Sequence, residues 1–577
     1  GFGAGSSCRG WLPIDFPPKQ LARADVESKR AALDAESKRK LMPEENQEHI
    51  DRLRSVFPFR GYIDGTEHRG ISLKQLRQVV FYAKSRCHRW WDIAPPAYSK
   101  TSGQELAPGF LNLYHMNAWV IRPATKERNC AMVEVLTDRE QPPAWFISHW
   151  WGEPVLHFLK CVEFMAKQRE LGEDVAFWVC AYANRQHSLG DDISDDPRKT
   201  SFFKALVIAE FKVLLILNGG SASETPGMPF LRVWCAFEET CCLEQADSPL
   251  DVVSFHGQSV ELVTRGLTHS EAHMERVEPG AGTAAKTSRE RSFPPSLIEA
   301  GLAFDIVKAQ ASVAADRDHI LNSVAGLDLT GAPPEEHALL TEANLRLRSL
   351  FARTFFRRVL STASPLADGL AQAIHADVQR TSLSLDLAGL EALRDHEMDS
   401  VIACLPPKLR ELTLDMQGAS IGDTALQRLA EGLPQALESL NLDFSRCGGI
   451  GDEGLEQLRA GLPSALARLR INFTGTYAWK ANLFQDISSF FDWKPLQEEG
   501  FGPVWWKPGK AFSFESSVEY VQQTAAHSRG KTSHYNRLLS PFSAVEFLKE
   551  RGALYPGENL WAAVETDPEG EFDEEEG

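Results

Sequence analysis

The sequence predicts a multidomain α/β protein in which an open parallel sheet precedes a short solenoid of strand and helix repeats. Three observations carry this. Four apolar runs of strand length, separated by helical spacing, lie between positions 142 and 278. A phrase of the form LxxLxL, or LxxLxI, recurs with a near-constant period at Leu409, Leu437 and Leu466. The composition, 43% hydrophobic and 24% charged over 577 residues, is that of a globular chain long enough for several domains.

The segment 1–70 is charged and weakly periodic from Lys19 through Arg54, which predicts a solvent-exposed helix or helical pair rather than a core. Segment 71–141 holds Ile71-Ser72-Leu73 leading to Val79-Val80-Phe81, then Phe110 to Tyr114, and reads as a helical lead-in packed on the sheet that follows.

The region 142–278 is the most informative. Trp145-Phe146-Ile147 ends in Ser148-His149, Val175 to Val179 ends in Cys180, and Val213 to Leu217 ends in Asn218-Gly219-Gly220. Such short β-branched and aliphatic runs, stopped by polar or turn residues, predict strands buried on both faces. Between them Val155, Leu156, Leu159, Val162 and Met165, and later Phe202, Phe203, Leu206 and Val207, have the spacing of one buried helical stripe. Strand, helix, strand, helix, strand with short connections implies right-handed parallel crossovers. Val252 to Phe255 supplies a fourth strand after the helix that contains Trp234 to Glu239.

Glu238 admits two readings. At the mouth of an α/β crevice a carboxylate can act as a catalytic group, holding a proton or stabilising developing positive charge. In the first turn of a helix, Glu238 and Glu239 would instead be favoured by the helix dipole, with no catalytic part. Ser148 and His149 are adjacent on a strand, so their side chains point to opposite faces, and a substrate-lining or loop-capping role suits them better than a nucleophile and base pair. Trp150, Trp151 and Trp234 can stack on a planar ring or pack under loops. Arg185 and Arg232 have the fork that pairs with a pyrophosphate, with surface solvation as the alternative.

The order and wording of this region resemble the TIR (Toll/interleukin receptor) domain over positions 142 to 260. Ala144 to Ser148 resembles that family's first strand, and Trp234-Cys235-Ala236-Phe237-Glu238 resembles its tryptophan motif. The doubled tryptophan at Trp150-Trp151 and the long acidic second loop depart from the family pattern. The resemblance implies a flavodoxin-like parallel sheet, with NAD as substrate rather than cofactor and Glu238 as the catalytic residue. It implies that Ser148, His149, Trp150, Arg185 and Trp234 line the substrate, and that the Ala183–Ile193 loop moves over it. It also implies self-association, because cleavage often needs neighbouring domains.

Segment 279–296, rich in Gly, Ala, Thr, Ser and Arg, reads as a linker, and 297–378 as a helical bridge with helices over Ile306–Val324 and Glu342–Leu360. Asp316 to His319 fall mid-helix there and read as a solvated stripe, with a charged contact to the crevice as the alternative. In 379–480 the phrases at Leu409, Leu437 and Leu466, with an earlier copy at Leu383 and Leu385, give about four repeats. Ile421-Gly422-Asp423 returns as Ile450-Gly451-Asp452, and Gly432-Leu433-Pro434 as Gly461-Leu462-Pro463. These resemble ribonuclease-inhibitor-like leucine-rich repeats, whose concave face implies protein partners; the alternative is a buttress. Segment 481–560 reads as an aromatic-rich cap for the open end, with helices over Ser517–Ala526 and Ser543–Arg551, and 561–577 as an acidic disordered tail.

A net charge of −18 argues against non-specific nucleic-acid binding, which needs clustered Lys and Arg. No run reaches the ~18 apolar residues of a spanning helix. The ten cysteines lack the paired spacing of zinc sites, so no metal is expected, and they read as reduced thiols of a cytoplasmic protein. Two functions follow as expectations. One is a TIR-like signalling protein that hydrolyses NAD to nicotinamide and ADP-ribose. The other is a non-enzymatic adaptor using the same surface and the repeat concavity.

Overall fold

The computed structural model describes residues 42–477, apart from 97–98, 193, 221–224, 244–249, 279 and 474–475, together with the backbone of 494–495 and 504–506. The chain divides into two compact units: the first is Gly1–Thr381 with Ala388–Leu393 and Glu397–Lys408, and the second is the remainder. Both are mixed α/β with strands paired in parallel, and among the described residues neither sheet closes into a barrel.

Among the described residues the first α-helix of this unit is α1 (Gln47–Val56), which Asn46 caps by accepting from the His49 amide, and which turns Ile50 and Leu53 into the core. The described part of the charged leader therefore contributes to the core, because a narrow apolar stripe is enough to anchor a helix. Strand β1 (Ile71–Ser72) follows and runs into α2 (Leu73–Arg86) through a capping box between Ser72 and Gln75. The expectation of a purely helical lead-in is corrected here: Ile71 pairs antiparallel with Phe177 and lengthens the sheet by one edge. A helical run from Leu113 to Thr125, with a π turn at Asn117–Ile121, completes this segment.

The sheet proper consists of β2 (Trp145–His149), β3 (Ala176–Trp178), β4 (Val213–Asn218), β5 (Leu250–His256) and β6 (Ser259–Val263). Its order is β1-β3-β2-β4-β5-β6, with the four central strands parallel and both outer strands antiparallel. Every residue of β2, β3 and β4 is buried. That explains their unbroken apolar runs, since a parallel strand is covered on both faces. The covering helices are α3 (Val155–Gln168) between β2 and β3, α4 (Ser201–Ile208) before β4, and α5 (Val233–Cys242) before β5. Because β3 and β4 lie on opposite sides of β2, the winding direction reverses at β2. In such sheets the crevice opens at the carboxyl ends of the strands flanking that reversal.

Beyond β6 come α6 (His269–Val277), α7 (Ala281–Glu290) and α8 (Pro295–Leu302). The expected linker at 279–296 is thus mostly helix. Glu275, from the preceding helix, accepts from the amides of Gly280 (2.6 Å) and Thr283 (3.0 Å) and supplies the cap that the Gly-rich start lacks. Inside α7 the buried Lys286 and Glu290 pair at 2.6 Å one turn apart. Then α9 (Ala314–Ala325) and α10 (Ala338–Leu360) follow. The helix expected from Ile306 begins only at Ala314, and the chain before it forms a turn and then a bridge between Gln310 and Arg232. Finally α11 (Ala367–His375) and α12 (Met398–Ala403) pack together.

The second unit is built on β7 (Ser382–Asp386), β8 (Glu411–Asp415), β9 (Ser439–Asp443) and β10 (Arg468–Asn472), all parallel. Leu383, Leu412, Leu440 and Leu469 stand side by side in register, as do Leu385, Leu414, Leu442 and Ile471, and all eight are buried. Helices α13 (Asp423–Gly432) and α14 (Asp452–Ala460) turn Leu426, Leu429, Leu455 and Leu458 into the same core. Each repeat buries its apolar edge against the next. Strand β12 (Val504–Trp506) pairs antiparallel with the free edge of β10, and β11 (Lys494–Pro495) with β12. Most of the expected aromatic cap, both helices expected after it and the acidic tail lie outside the described residues. No described helix is long and apolar enough to cross a membrane.

Candidate functional site

The carboxyl end of β2 lies at the winding reversal, and its last two residues part as strand geometry requires. Ser148, fully buried, points to the α5 side and donates to Glu239 Oε1 at 3.3 Å. Its hydroxyl also neighbours the Glu238 carboxyl and the Cys235 thiol. His149 points to the α3 side, its ring centroid 5.0 Å from that of Phe158, with Nδ1 3.3 Å from the Ile147 carbonyl. Burial lowers its pKa to about 4, so the ring is neutral, and Nε2 has no hydrogen-bond partner among the described residues. The two residues share no hydrogen bond.

Glu238 and Glu239 come from α5, whose start is set by a 3-10 turn at Met228–Leu231 entered through Gly227 in the left-handed region at φ 69°. The helix begins at Val233, so both glutamates lie in its second turn. The dipole explanation is therefore corrected: that stabilisation fades beyond the first turn. Glu238 is 4% exposed and Glu239 fully buried. Burial raises the Glu238 pKa to about 8. It raises that of Glu239 well above the carboxylate range, with Glu238 adding to the effect. Each carboxyl keeps one oxygen, Oε2, without a partner among the described residues. Burial thus favours the protonated form of both carboxyls, which share one serine.

The remaining candidates are engaged elsewhere. Trp234, 6% exposed, donates its Nε1–H to Asp316 Oδ2 at 3.1 Å and stacks on Phe202 with centroids 4.8 Å apart. Phe202 meets Trp178, which stacks on Phe146, so an aromatic column runs from α5 into the sheet. The stacking face expected for a substrate ring is occupied by Phe202. Trp150 is half-buried over Gly152, where a Cβ would lie 2.1 Å from the indole Cζ2. Trp151, by contrast, is core and donates to Cys180 Sγ at 3.2 Å. Arg185 clasps Asp192 through its amide (2.7 Å) and Nη2 (2.8 Å), which closes the loop after β3 on itself. Arg232 donates to Ser312 Oγ at 2.9 Å.

No protein-family model matches this chain, and no curated protein matches it.

The structure thus brings Ser148, Glu238 and Glu239 together, with Trp234 one helical turn away, and leaves His149 on the opposite face and Arg185 on the loop after β3. Gln310 and Ser312 escaped the sequence reading, and the solvated stripe expected at Asp316 is corrected, since that carboxylate accepts from the Trp234 indole. All three lie far downstream of α5 in the sequence, and no local periodicity links them to it. Glu239 was legible as a neighbour of Glu238 but not as the residue that holds Ser148. The nine described cysteines are all free thiols. Among the described residues, no group of His, Cys, Asp and Glu is arranged to hold a metal ion.

Proposed function

We propose that this chain is a cytoplasmic signalling scaffold in which a TIR-like α/β unit and a leucine-rich-repeat unit each bind proteins. The observation that carries this reading is the in-register stack of β7 to β10. Its outward positions, among them Ser384, Glu411, Thr413, Asn441 and Arg470, are polar and at least partly exposed, while the alternate leucines are buried. A face of this kind, polar and backed by a rigid apolar layer, suits protein recognition. The engagement of Trp234, Arg185 and Arg232 with other parts of the chain also favours binding over catalysis. In the test, partners recovered with the intact protein are compared with those of Asn441→Arg. Loss of a partner with the fold retained supports the scaffold; identical recovery overturns it.

A second reading, NAD hydrolysis, is favoured by one specific observation: two carboxyls and a serine converge at the winding reversal, where sheets of this order place their ligands. In that reaction water attacks the ribosyl anomeric carbon, the bond to the nicotinamide nitrogen breaks, and nicotinamide, ADP-ribose and a proton are released. Glu238 would serve as a carboxylate facing the ribose, which requires it to leave its enclosed position and lose its proton. Nicotinamide release is measured for wild type at high concentration beside Glu238→Ala. Release by the wild type alone makes the chain an NAD hydrolase. No release, even when the protein is artificially clustered, leaves the scaffold.

A further inference from the structure

Helix α5 lacks a side-chain cap of its own, since Arg232 at the N-cap position bonds none of its amides. The chain returns to supply one. Gln310 accepts from the Val233 amide at 3.0 Å and donates its own amide to the Leu231 carbonyl at 2.8 Å, a main-chain bridge centred on Arg232. The Arg232 guanidinium reaches Ser312 Oγ at 2.9 Å. As α9 starts, Asp316 takes the Trp234 indole N–H at 3.1 Å. Arg317 then folds back onto the carbonyls of Val307 (2.5 Å) and Ala309 (3.2 Å), which fixes the shape of the segment. The run Leu231 to Trp234 is thus tied at every position to one stretch far along the chain, and α9 packs along α5 beyond it.

We propose that residues 307–318 form an intramolecular strap that holds α5 in its enclosed position and keeps Glu238 and Glu239 from solvent. Access to Glu238 then requires release of the Trp234–Asp316 contact. The strap belongs to the region that the sequence assigns to a bridge, yet it lies in the same compact unit as Glu238, so the bridge is part of the site's own surroundings. The inference rests on Glu238 being a site residue but on no particular substrate. The ties are few and ordinary. Losing one hydrogen bond of usual net strength raises an open population by about ten-fold.

The test is carbodiimide-driven coupling of an amine to carboxyls in the full chain, read residue by residue by peptide mass spectrometry. Wild type is expected to label slowly at Glu238. Asp316→Ala and Trp234→Phe, which each remove the indole contact, are expected to label about ten-fold faster. Asp316→Asn keeps an oxygen acceptor and should stay protected, and Ser312→Ala should give a smaller rise. A folded Asp316→Ala protein with unchanged labelling at Glu238 overturns the strap. Should that variant fail to fold, unchanged labelling in both Trp234→Phe and Ser312→Ala overturns it equally. Nicotinamide release from NAD is followed in the same samples. Faster labelling without release leaves the strap standing and counts against NAD hydrolysis; release that rises without faster labelling overturns the strap.

Discussion

The Ser148 hydroxyl lies 3.3 Å from Glu239 Oε1 and joins the end of β2 to the second turn of α5 across a buried interface. A single proton on Ser148 serves one acceptor at a time, and two carboxyls surround it. Neither carboxyl can ionise cheaply there, because among the described residues no cation pairs with either to compensate the lost hydration. The site is therefore built around proton retention, and its first consequence is thermodynamic.

The unfolded chain releases the Glu238 proton near pH 4.5, and the folded chain near 8. Between those values the folded state holds a proton that the unfolded state has lost, so this residue makes stability fall as pH rises. His149 acts in the opposite sense lower down: its pKa is about 4 when folded and 6.5 when free, so stability rises with pH across that window. Denaturant unfolding from mildly acidic to mildly alkaline pH should show Glu238→Gln gaining on wild type by about 1.4 kcal/mol per pH unit through the upper window. Parallel profiles would contradict a proton held by Glu238.

Asp192 gathers the loop after β3. It accepts from the Arg185 amide and guanidinium and from Thr66 Oγ1 (3.0 Å), and Arg69 Nη1 lies 3.8 Å away. Asp192→Ala removes these bonds and should cost about 2–4 kcal/mol. Limited proteolysis should then cut between positions 185 and 196 faster than in wild type. Unchanged cleavage would mean that the loop is held by other contacts.

In the repeat unit an aspartate of one repeat serves the backbone of the next. Asp423 Oδ1 accepts from the Gly451 amide at 2.6 Å, and Asp395 does the same for Gly422 at 2.7 Å. Asp423→Ala should lower the stability of this unit by about 1–3 kcal/mol by leaving an amide unsatisfied. Glu431→Ala on the exposed face of the same helix should change it by less than about 0.5 kcal/mol. Equal effects in thermal melts would remove the special role of Asp423.

The close packing of α6 and α7 depends on Gly282, where an added Cβ would sit 2.1 Å from the Glu271 carbonyl oxygen. Gly282→Ala is expected to cost about 1–3 kcal/mol through forced backbone movement, although alanine is the better helix former. A linker would tolerate the change, so a neutral result in chemical unfolding would restore that expectation.

How much of this was legible depended on whether the signal was local. The strands of the first sheet stood out because burial on both faces disfavours polar residues, and the repeats because LxxLxL fixes a period. Helix α7 was hidden: Gly, Ala, Thr and Ser resemble a loop until Glu275 is known to cap them. The enclosure of Glu238 was hidden for a different reason. The spacing from Trp234 to Glu238 places both on one side of a helix. Whether that side meets water or the sheet is decided by Ser148, far upstream, and by Asp316, far downstream.

The antiparallel pairing of β12 with β10 has a consequence for the behaviour of shortened chains. A parallel stack adds units at a bare row of amides and carbonyls, and a foreign molecule can continue such a row as readily as the chain itself. With β12 in place that row is spent on a strand of opposite direction, which offers no template for another repeat. Expression ending before position 494 should therefore give material that polymerises end to end through β10, and a polar or proline-bearing substitute strand should restore its solubility.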